Sequence, residues 1–237
     1  MFMNEDPTAT LVSLYESTFR SHGPIPRGVG WGQNHQNIHL RYNNFVSLTA
    51  KWAAPLSVFS LVDLGAGYGH FYDYIASSPC SDIIDLYVAV EPADSLYSEL
   101  TKKLSRSSRH RHISSHSCIS QYFRYYSDKS SRTRTFGDRK ICLIANGVFT
   151  QRAHVGVPEF DQFLLASLLD ISDFMQPGDC LLLNTMLSQP DFRLDNLYYP
   201  SEAFMSYLVE MTRLRNLVLT ITHDNTLCEQ YLQFSMP

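Results

Sequence analysis

Residues 62–69 read VDLGAGYG, and this stretch decides the fold class of the chain. An apolar run over 57–64 ends in Asp63-Leu64 and is followed by glycines at positions 65, 67 and 69. Glycine carries no Cβ and adopts positive φ without strain, so the backbone of such a turn approaches a bound ligand closely. A plain tight turn explains two of these glycines but less easily all three. We therefore predict a ligand-binding turn between a strand and a helix, formed by Asp63, Gly65, Ala66, Gly67, Tyr68 and Gly69.

A second acidic position follows 22 residues after Gly69, where the apolar run 86–90 ends in Glu91-Pro92. A carboxylate at a strand end accepts hydrogen bonds from both hydroxyls of a ribose, as in dinucleotide-binding folds. A surface carboxylate is the alternative, but it would have to coincide with the glycine turn by accident. Nicotinamide and flavin sites use similar features, but their GxGxxG/A pattern needs a small sixth residue. That position is His70 here, which disfavours such a cofactor.

Short apolar runs alternate with helical segments beyond the glycine turn, as expected for a parallel sheet with crossover helices. The predicted strands cover 57–64, 86–90, 112–119, 140–145 and 180–186, and the predicted helices cover 69–77, 93–104, 159–175 and 201–213. The Ser-, Thr- and Arg-rich stretch 127–138 is typical of a mobile loop. Two β-rich runs, 216–222 and 228–234, are joined by His223-Asp224-Asn225-Thr226 and indicate a C-terminal antiparallel hairpin.

Two helices with one apolar face each, at about 8–21 and 35–52, precede the first strand. They predict an N-terminal helical cap, 1–55, on a Rossmann-like core, 56–237. A chain of 237 residues that is 44% hydrophobic buries one substantial core. We therefore predict a single α/β domain, 1–237, with a mostly parallel seven-stranded sheet closed by the hairpin.

Composition excludes several classes of protein. No apolar run approaches the roughly 18–20 residues that cross a bilayer, and the N-terminus lacks a basic region followed by an apolar one. The five cysteines are scattered without a CxxC pair, and the histidines near 109–112 lack neighbouring cysteines or an HExxH spacing. We expect a cytoplasmic protein with no membrane partner and no metal.

The sequence resembles the class I S-adenosylmethionine-dependent methyltransferases at three motifs. Residues 62–69 match the first motif, Val90-Glu91-Pro92 the ribose motif, and Ile144-Ala145-Asn146-Gly147 the motif at the fourth strand. Four further segments are similar to a group of small bacterial methyltransferases, a match that indicates no substrate: Trp31-Gly32 with Gln36 and Arg41, then 69–74, 184–188 and 195–199.

The resemblance implies S-adenosylmethionine as the cofactor and assigns residues to its parts. The three glycines of the turn face the methionine end, Glu91-Pro92 the ribose, and Ser117-Cys118-Ile119 the adenine edge. Asn146, Gly147 and Phe149 lie by the sulfonium. In the cap, we predict that Trp31 and Arg41 close over the cofactor or pair with its carboxylate. A packed helix with an exposed arginine is the alternative for these two residues.

The methyl acceptor is less well defined by the sequence. We predict a small molecule, with Tyr198 and Tyr199 as candidates for its binding site, and we assign no catalytic residue because positioning carries much of methyl transfer. Eleven Lys and Arg between 102 and 140, against Asp128 and Asp138, leave RNA open as an alternative acceptor. A scaffold protein that binds the cofactor without turnover is the third alternative.

Overall fold

The protein is described here by a computed structural model that covers residues 7–31, 35–126, 129–187 and 194–237. Its centre is one sheet of seven strands. In chain order the strands are β1 (Phe59–Leu64), β2 (Ile84–Val90), β3 (Arg111–Ser115), β4 (Ile141–Ala145), β5 (Cys180–Met186), β6 (Val218–Asp224) and β7 (Glu229–Ser235).

The strand order is β3-β2-β1-β4-β5-β7-β6. The first five strands in this order pair in parallel, whereas β7 pairs antiparallel with both β5 and β6. All residues of β1, β4 and β5 are buried, which is typical of central parallel strands covered on both faces. The structure thus confirms the predicted α/β fold class with its C-terminal antiparallel hairpin.

Helices cover both faces of the sheet. They are α1 (Pro7–His22), α2 (His35–Ala53), α3 (His70–Ala76), α4 (Asp94–Ser105), α5 (Ile119–Tyr125), α6 (Lys129–Phe136), α7 (Val157–Phe174) and α8 (Glu202–Leu214). One apolar core joins one face of the sheet to α1, α5, α7 and α8, and a second core joins the other face to α2, α3 and α4. The two predicted N-terminal helices therefore exist, but they lie on opposite faces of the sheet.

The region between β3 and β4 differs from the sequence prediction. The third strand ends at Ser115 rather than at 119, α5 begins at Ile119, and α6 occupies most of the stretch predicted as a mobile loop. Residues 127 and 128 of the predicted loop lie outside the described residues. Composition favoured a loop, but Phe136 is fully buried and Arg132 forms a buried ion pair with Asp179. These tertiary contacts hold α6 against the core, where local propensity alone would not.

Candidate functional site

The glycine turn lies where the carboxyl ends of β1, β2 and β4 meet. The backbone N–H groups of Gly65 and Ala66 donate to the carbonyl oxygen of Val90 at 2.8 and 3.0 Å. Gly65 has a φ of +69°, and a Cβ added there would lie 2.5 Å from Cγ2 of Val148. Both the backbone conformation and the space therefore require glycine at this position. The chain order reverses between β1 and β4, the position at which open α/β sheets bind ligands.

A cleft with two connected cavities opens beside this turn. The first cavity is bounded by α1, the glycine turn, the end of β2, the start of α5 and the end of β4. The second lies over Asp63, the turn and the start of α3. Five residues line both cavities and so form their junction: Val29, Trp31, Gly65, Gly67 and Asn146.

Most of the predicted cofactor residues line this cleft. Those in the first cavity are Trp31, Gly65, Gly67, Glu91, Pro92, Cys118, Asn146 and Gly147. Asp63, Ala66 and Tyr68 line the second cavity. Gly69 instead faces α4, because a Cβ there would lie 3.0 Å from Cδ1 of Leu100. Phe149 is fully buried and packs against Phe163.

Glu91 is a buried carboxylate in the wall of the first cavity. Its Oε2 accepts a hydrogen bond from the N–H of Gly67 and its Oε1 from the N–H of Ala93, both at 2.8 Å. Burial raises the pKa of Glu91 to about 7, and the two N–H groups oppose this rise. Tyr15 of α1 lines the same cavity, and burial together with the charge of Glu91 raises the pKa of its hydroxyl. Glu91 also fixes the glycine turn, because it binds Gly67 directly.

Asp63 is a second buried carboxylate and borders the second cavity. The hydroxyl of Tyr87 donates a hydrogen bond to its Oδ2. Burial raises the pKa of Asp63 from its ordinary value of 3.8 to about 7 despite that hydrogen bond. Two acidic groups that ionise near neutral pH therefore lie on either side of the glycine turn.

The raised pKa of Asp63 predicts a dependence of stability on pH. A carboxyl group whose pKa is higher in the folded than in the unfolded state stabilises the fold below its unfolded pKa, and this contribution is lost as pH rises through the folded pKa. As pH rises from about 4 to about 7, the ionisation of Asp63 should thus lower the free energy of unfolding by on the order of 1–3 kcal/mol. Urea denaturation across this range should show a smaller decline for Asp63→Asn than for the wild type. Asp195→Asn, at an exposed position, should retain the wild-type decline; equal slopes for all three proteins would contradict the prediction.

Asn146 carries an orphaned polar atom at the junction of the cavities. The residue is 8% exposed, and no donor among the described residues reaches its Oδ1. The backbone of the next residue, Gly147, is held at both of its polar groups. Its N–H donates to Oδ1 of Asn184 at 2.8 Å, and its carbonyl oxygen accepts from the Thr150 hydroxyl, also at 2.8 Å. A buried acceptor without a partner is costly, so a donor from a ligand is the natural partner for Asn146.

The structure adds residues to the site that sequence reasoning missed. Tyr42 of α2 and His70 of α3 both line the second cavity, and the Tyr42 hydroxyl lies 2.9 Å from Nδ1 of His70. The residues Thr8, Leu11, Val12 and Tyr15 of α1 line the first cavity. The apolar face of α1 was visible in the sequence, but periodicity alone did not distinguish packing on the core from lining a cleft.

Trp31 and Arg41 have different positions relative to the cleft. Trp31 lines both cavities, and its predicted contact with the cofactor stays a prediction. Arg41 lies behind Trp31, with its guanidinium carbon 4.4 Å from the centre of the ring, and its side chain is paired with Glu229. It is not among the residues that line the two cavities, so the structure places it one layer away from the predicted contact with a cofactor carboxylate.

The two tyrosines suggested for acceptor binding are packing residues in this structure. The Tyr198 ring lies 4.5 Å from that of Phe160, and its hydroxyl donates to Asp161. The Tyr199 hydroxyl accepts a hydrogen bond from the N–H of Leu194 at 2.9 Å. Neither lines the two cavities described above. Gly32 and Ser188, which carried part of the family resemblance, lie outside the described residues.

Many cations of the basic stretch 102–140 are engaged by carboxylates of the same chain. Ion pairs in the described ranges are Lys102–Glu99, Lys103–Asp73, Arg109–Asp82, Arg111–Asp85, Arg132–Asp179 and Arg139–Asp85. The Arg132 pair is buried, and Lys140 donates to the carbonyl of Pro177. The stretch is therefore less available for phosphate contacts than its composition indicates.

Neither a membrane-spanning helix nor a metal cluster is found among the described residues. No helix in that part of the chain has the length and apolar character needed to cross a bilayer. Within the same residues, no group of three or more His, Cys, Asp or Glu side chains is arranged to hold a metal ion.

The architecture is that of solved methyltransferase structures. No protein-family model and no curated protein sequence matches the chain. It is similar to an S-adenosylmethionine-dependent methyltransferase from Leishmania major, with a TM-score of 0.58, 11% identity, and coverage of 97% of this chain and 84% of that one. The N-methyltransferase NodS from Bradyrhizobium japonicum, in complex with S-adenosylhomocysteine, gives a TM-score of 0.58 at 11% identity, covering 96% and 99%.

A third similar structure is magnesium protoporphyrin IX methyltransferase from Synechocystis with bound S-adenosylhomocysteine, with a TM-score of 0.56, 12% identity, and coverage of 98% and 100%. At such identities a structural likeness establishes the fold. The chain therefore has the Rossmann-like fold of the class I S-adenosylmethionine-dependent methyltransferases.

Proposed function

We propose that this protein binds S-adenosylmethionine in the cleft beside the glycine turn and transfers its methyl group to a small-molecule acceptor. The observation that carries the proposal is the meeting of three elements around one cleft: the glycine turn, the buried Glu91 and the unpartnered Oδ1 of Asn146. The fold permits many functions, so the function is assigned from these groups rather than from the architecture alone.

The first cavity has the chemistry expected for the adenosine part of the cofactor. Apolar side chains from four elements line it, which suits the faces of an adenine ring: Leu11, Val12, Leu96, Ile119 and Phe163. Glu91 in the same wall supplies carboxylate oxygens for the ribose hydroxyls. Cys118 lies at the start of α5, where the resemblance to methyltransferases assigns the adenine edge.

The second cavity has the chemistry expected for the amino-acid end. An α-amino acid carries an ammonium group, which donates hydrogen bonds, and a carboxylate, which accepts them. Asp63 and Asn146 present acceptors to this cavity, and the Tyr42–His70 pair, in which one group donates to the other, adds donor capacity. Acceptors and donors together support the binding of a zwitterion here, and the cofactor ends in such a group.

The chain's own residues contribute mainly by positioning. When bound, S-adenosylmethionine supplies a methyl group made electrophilic by its sulfonium. Trp31 and α1 line the cleft, where they would shield a bound cofactor from water, and the Asn146–Gly147 peptide is fixed at the junction of the cavities. Such orientation and desolvation can account for much of the lowering of the barrier to methyl transfer, and no general base is assigned. Cytoplasmic localisation stays a prediction from the sequence.

Calorimetry with S-adenosylmethionine and S-adenosylhomocysteine tests the proposal. The wild type should bind both ligands, and Glu91→Gln should weaken binding about tenfold or more, because a charged hydrogen bond contributes about 1.5–3 kcal/mol. Asp94→Asn removes an exposed carboxylate only three positions away and should leave the affinity unchanged. Absence of binding by either ligand at millimolar concentration would exclude the proposed function.

Product and RNA-binding assays on the same protein distinguish a small-molecule acceptor from the alternatives. Methylated product from a panel of small molecules supports the proposal. Salt-dependent RNA binding that is lost on Arg134→Glu, together with methylated RNA, would favour an RNA acceptor. Cofactor binding without product from any acceptor would favour a scaffold role. Arg134 is chosen because it is exposed, whereas Arg132 is buried in its ion pair.

A further inference from the structure

A buried polar network runs behind the cleft and connects distant parts of the chain. Glu229, the first residue of β7, has a fully buried side chain that accepts hydrogen bonds from Arg41 of α2. Nε of Arg41 lies 2.8 and 3.0 Å from the two carboxylate oxygens, and Nη2 donates to Oε1 as well. The Tyr231 hydroxyl donates to the same carboxylate at 3.2 Å. Glu229 is thus held by charge-assisted hydrogen bonds in a fixed orientation.

One branch of this network ends on the backbone of the cleft. Asn184 of β5 donates from Nδ2 to Oε2 of Glu229 at 2.8 Å. Its Oδ1 accepts the N–H of Gly147, also at 2.8 Å. Asn184 is fully buried, so its amide is oriented by these two partners. The orientation of the Asn146–Gly147 peptide, and hence the direction of the Asn146 side chain, depends on Glu229 through a single residue.

The other branch ends on the aromatic wall of the cleft. The Arg41 guanidinium packs against the Trp31 ring, with 4.4 Å between its central carbon and the ring centre. On the cleft side, a Cβ added to Gly147 would lie 3.2 Å from Cζ2 of Trp31. The two branches therefore meet again where Trp31 packs over Gly147. The Arg41–Glu229 pair is not explained by stability alone, because apolar residues of similar volume often stabilise a fold as well as a buried ion pair does.

We propose that Arg41 and Glu229 are positioning residues, which hold Trp31 and the Asn146–Gly147 peptide in the arrangement that the ligand requires. Neither touches the cavities described here; each acts through a neighbour, Arg41 through Trp31 and Glu229 through Asn184. The inference rests on the proposed function for the identity of the ligand, but the arrangement of Trp31 can be measured without any ligand.

The test uses Trp52→Phe protein, in which Trp31 is the single tryptophan because the chain has two. Three quantities are measured: the emission maximum of Trp31, the Kd for S-adenosylhomocysteine and the thermal midpoint. Arg41→Met should lower the midpoint strongly, because it leaves the Glu229 charge buried without its partner. Adding Glu229→Gln removes that charge while keeping an acceptor for Asn184, so the double variant should recover most of the midpoint.

The double variant Arg41→Met/Glu229→Gln discriminates positioning from stability. Relative to the Trp52→Phe parent, we expect both Arg41→Met and the double variant to show Trp31 emission at longer wavelength. We also expect both to have a Kd about tenfold higher, a difference of about 1.4 kcal/mol. Recovery of emission, Kd and midpoint together would reduce the pair to a structural role and overturn the proposal. Arg215→Met, which removes an exposed ion pair with Asp173, serves as the control and should change none of the three.

The readouts also separate this inference from the proposed function. If the parent protein binds no S-adenosylhomocysteine, the proposed function fails, whereas the emission of Trp31 still reports on its positioning. If the parent binds the ligand and the double variant has parental emission and Kd, the positioning role fails while the proposed function stands.

Discussion

Gly65→Ala should weaken the binding of S-adenosylhomocysteine about 100-fold or more, which corresponds to at least about 2.7 kcal/mol. The new Cβ would lie 2.5 Å from Cγ2 of Val148, and the residue would have to keep a φ of +69°. An L-residue in that conformation costs about 1–2 kcal/mol, and the close contact adds to this cost. The strain is relieved when the turn moves, and this turn lines both cavities. Calorimetric titration of the variant measures the effect.

Two controls assign the loss to the cleft. Gly137→Ala introduces a side chain at a similar φ of +62°, but its Cβ would meet only Nη1 of Arg139, at 3.4 Å. It should lower the free energy of unfolding by about 1–2 kcal/mol and leave the affinity unchanged. Gly65→Ala/Val148→Ala removes the closest contact and should recover part of the affinity. Binding by Gly65→Ala within threefold of the wild type would contradict the prediction.

Arg132→Met should lower the free energy of unfolding by about 3–5 kcal/mol. Arg132 and Asp179 are buried together, and Asp179 also accepts the N–H groups of Ile141 and Gln176 at 2.9 and 2.8 Å. Burial raises the pKa of Asp179, while the Arg132 charge lowers it. Without the arginine, the carboxylate would stay buried without its counter-charge or take up a proton. Either outcome destabilises the folded state at neutral pH.

Urea denaturation of two variants in the same helix checks this prediction. Arg134→Met removes an equal charge from α6, but at an exposed position, and should change the free energy of unfolding by no more than about 0.5 kcal/mol. Equal midpoints for Arg132→Met and Arg134→Met would show that the ion pair contributes nothing. The comparison also tests whether α6 is an ordered element, since composition alone predicts a mobile loop for this stretch.

Local signals in the sequence are sufficient for the sheet and for much of the cleft. The glycine turn and Glu91 are recognisable because each directly follows a strand in the sequence, and strand ends can be located from apolar runs. A parallel sheet aligns these ends at one edge, so residues 63–69 and Glu91 are expected to lie together. In this respect, the order of the motifs along the chain predicts their proximity in space.

The rest of the site depends on contacts that sequence spacing does not encode. Arg41 and Glu229 are separated by 188 positions, and no sequence pattern links one to the other. The sequence predicts that Arg41 reaches the ligand, whereas its charge is compensated by Glu229 inside the protein. In the sequence, His70 is only a departure from a glycine pattern, and Tyr42 is one aromatic residue on an apolar helix face. The difference between a core residue and a cleft residue is set by tertiary packing.

The position of β7 has a consequence for how the protein reaches its binding-competent form. Glu229 begins the strand that inserts between β5 and β6, so the wall of the cleft is supported by the last of the described elements in chain order. Contacts of such long sequence separation form slowly, because a large loop must close first. A nascent chain that has already paired β1, β2 and β4 has its glycine turn but lacks the support behind Trp31. On the proposed positioning role, ligand affinity therefore depends on the pairing of β7 as well as on the glycine turn, and ligand binding in turn favours the fully paired chain.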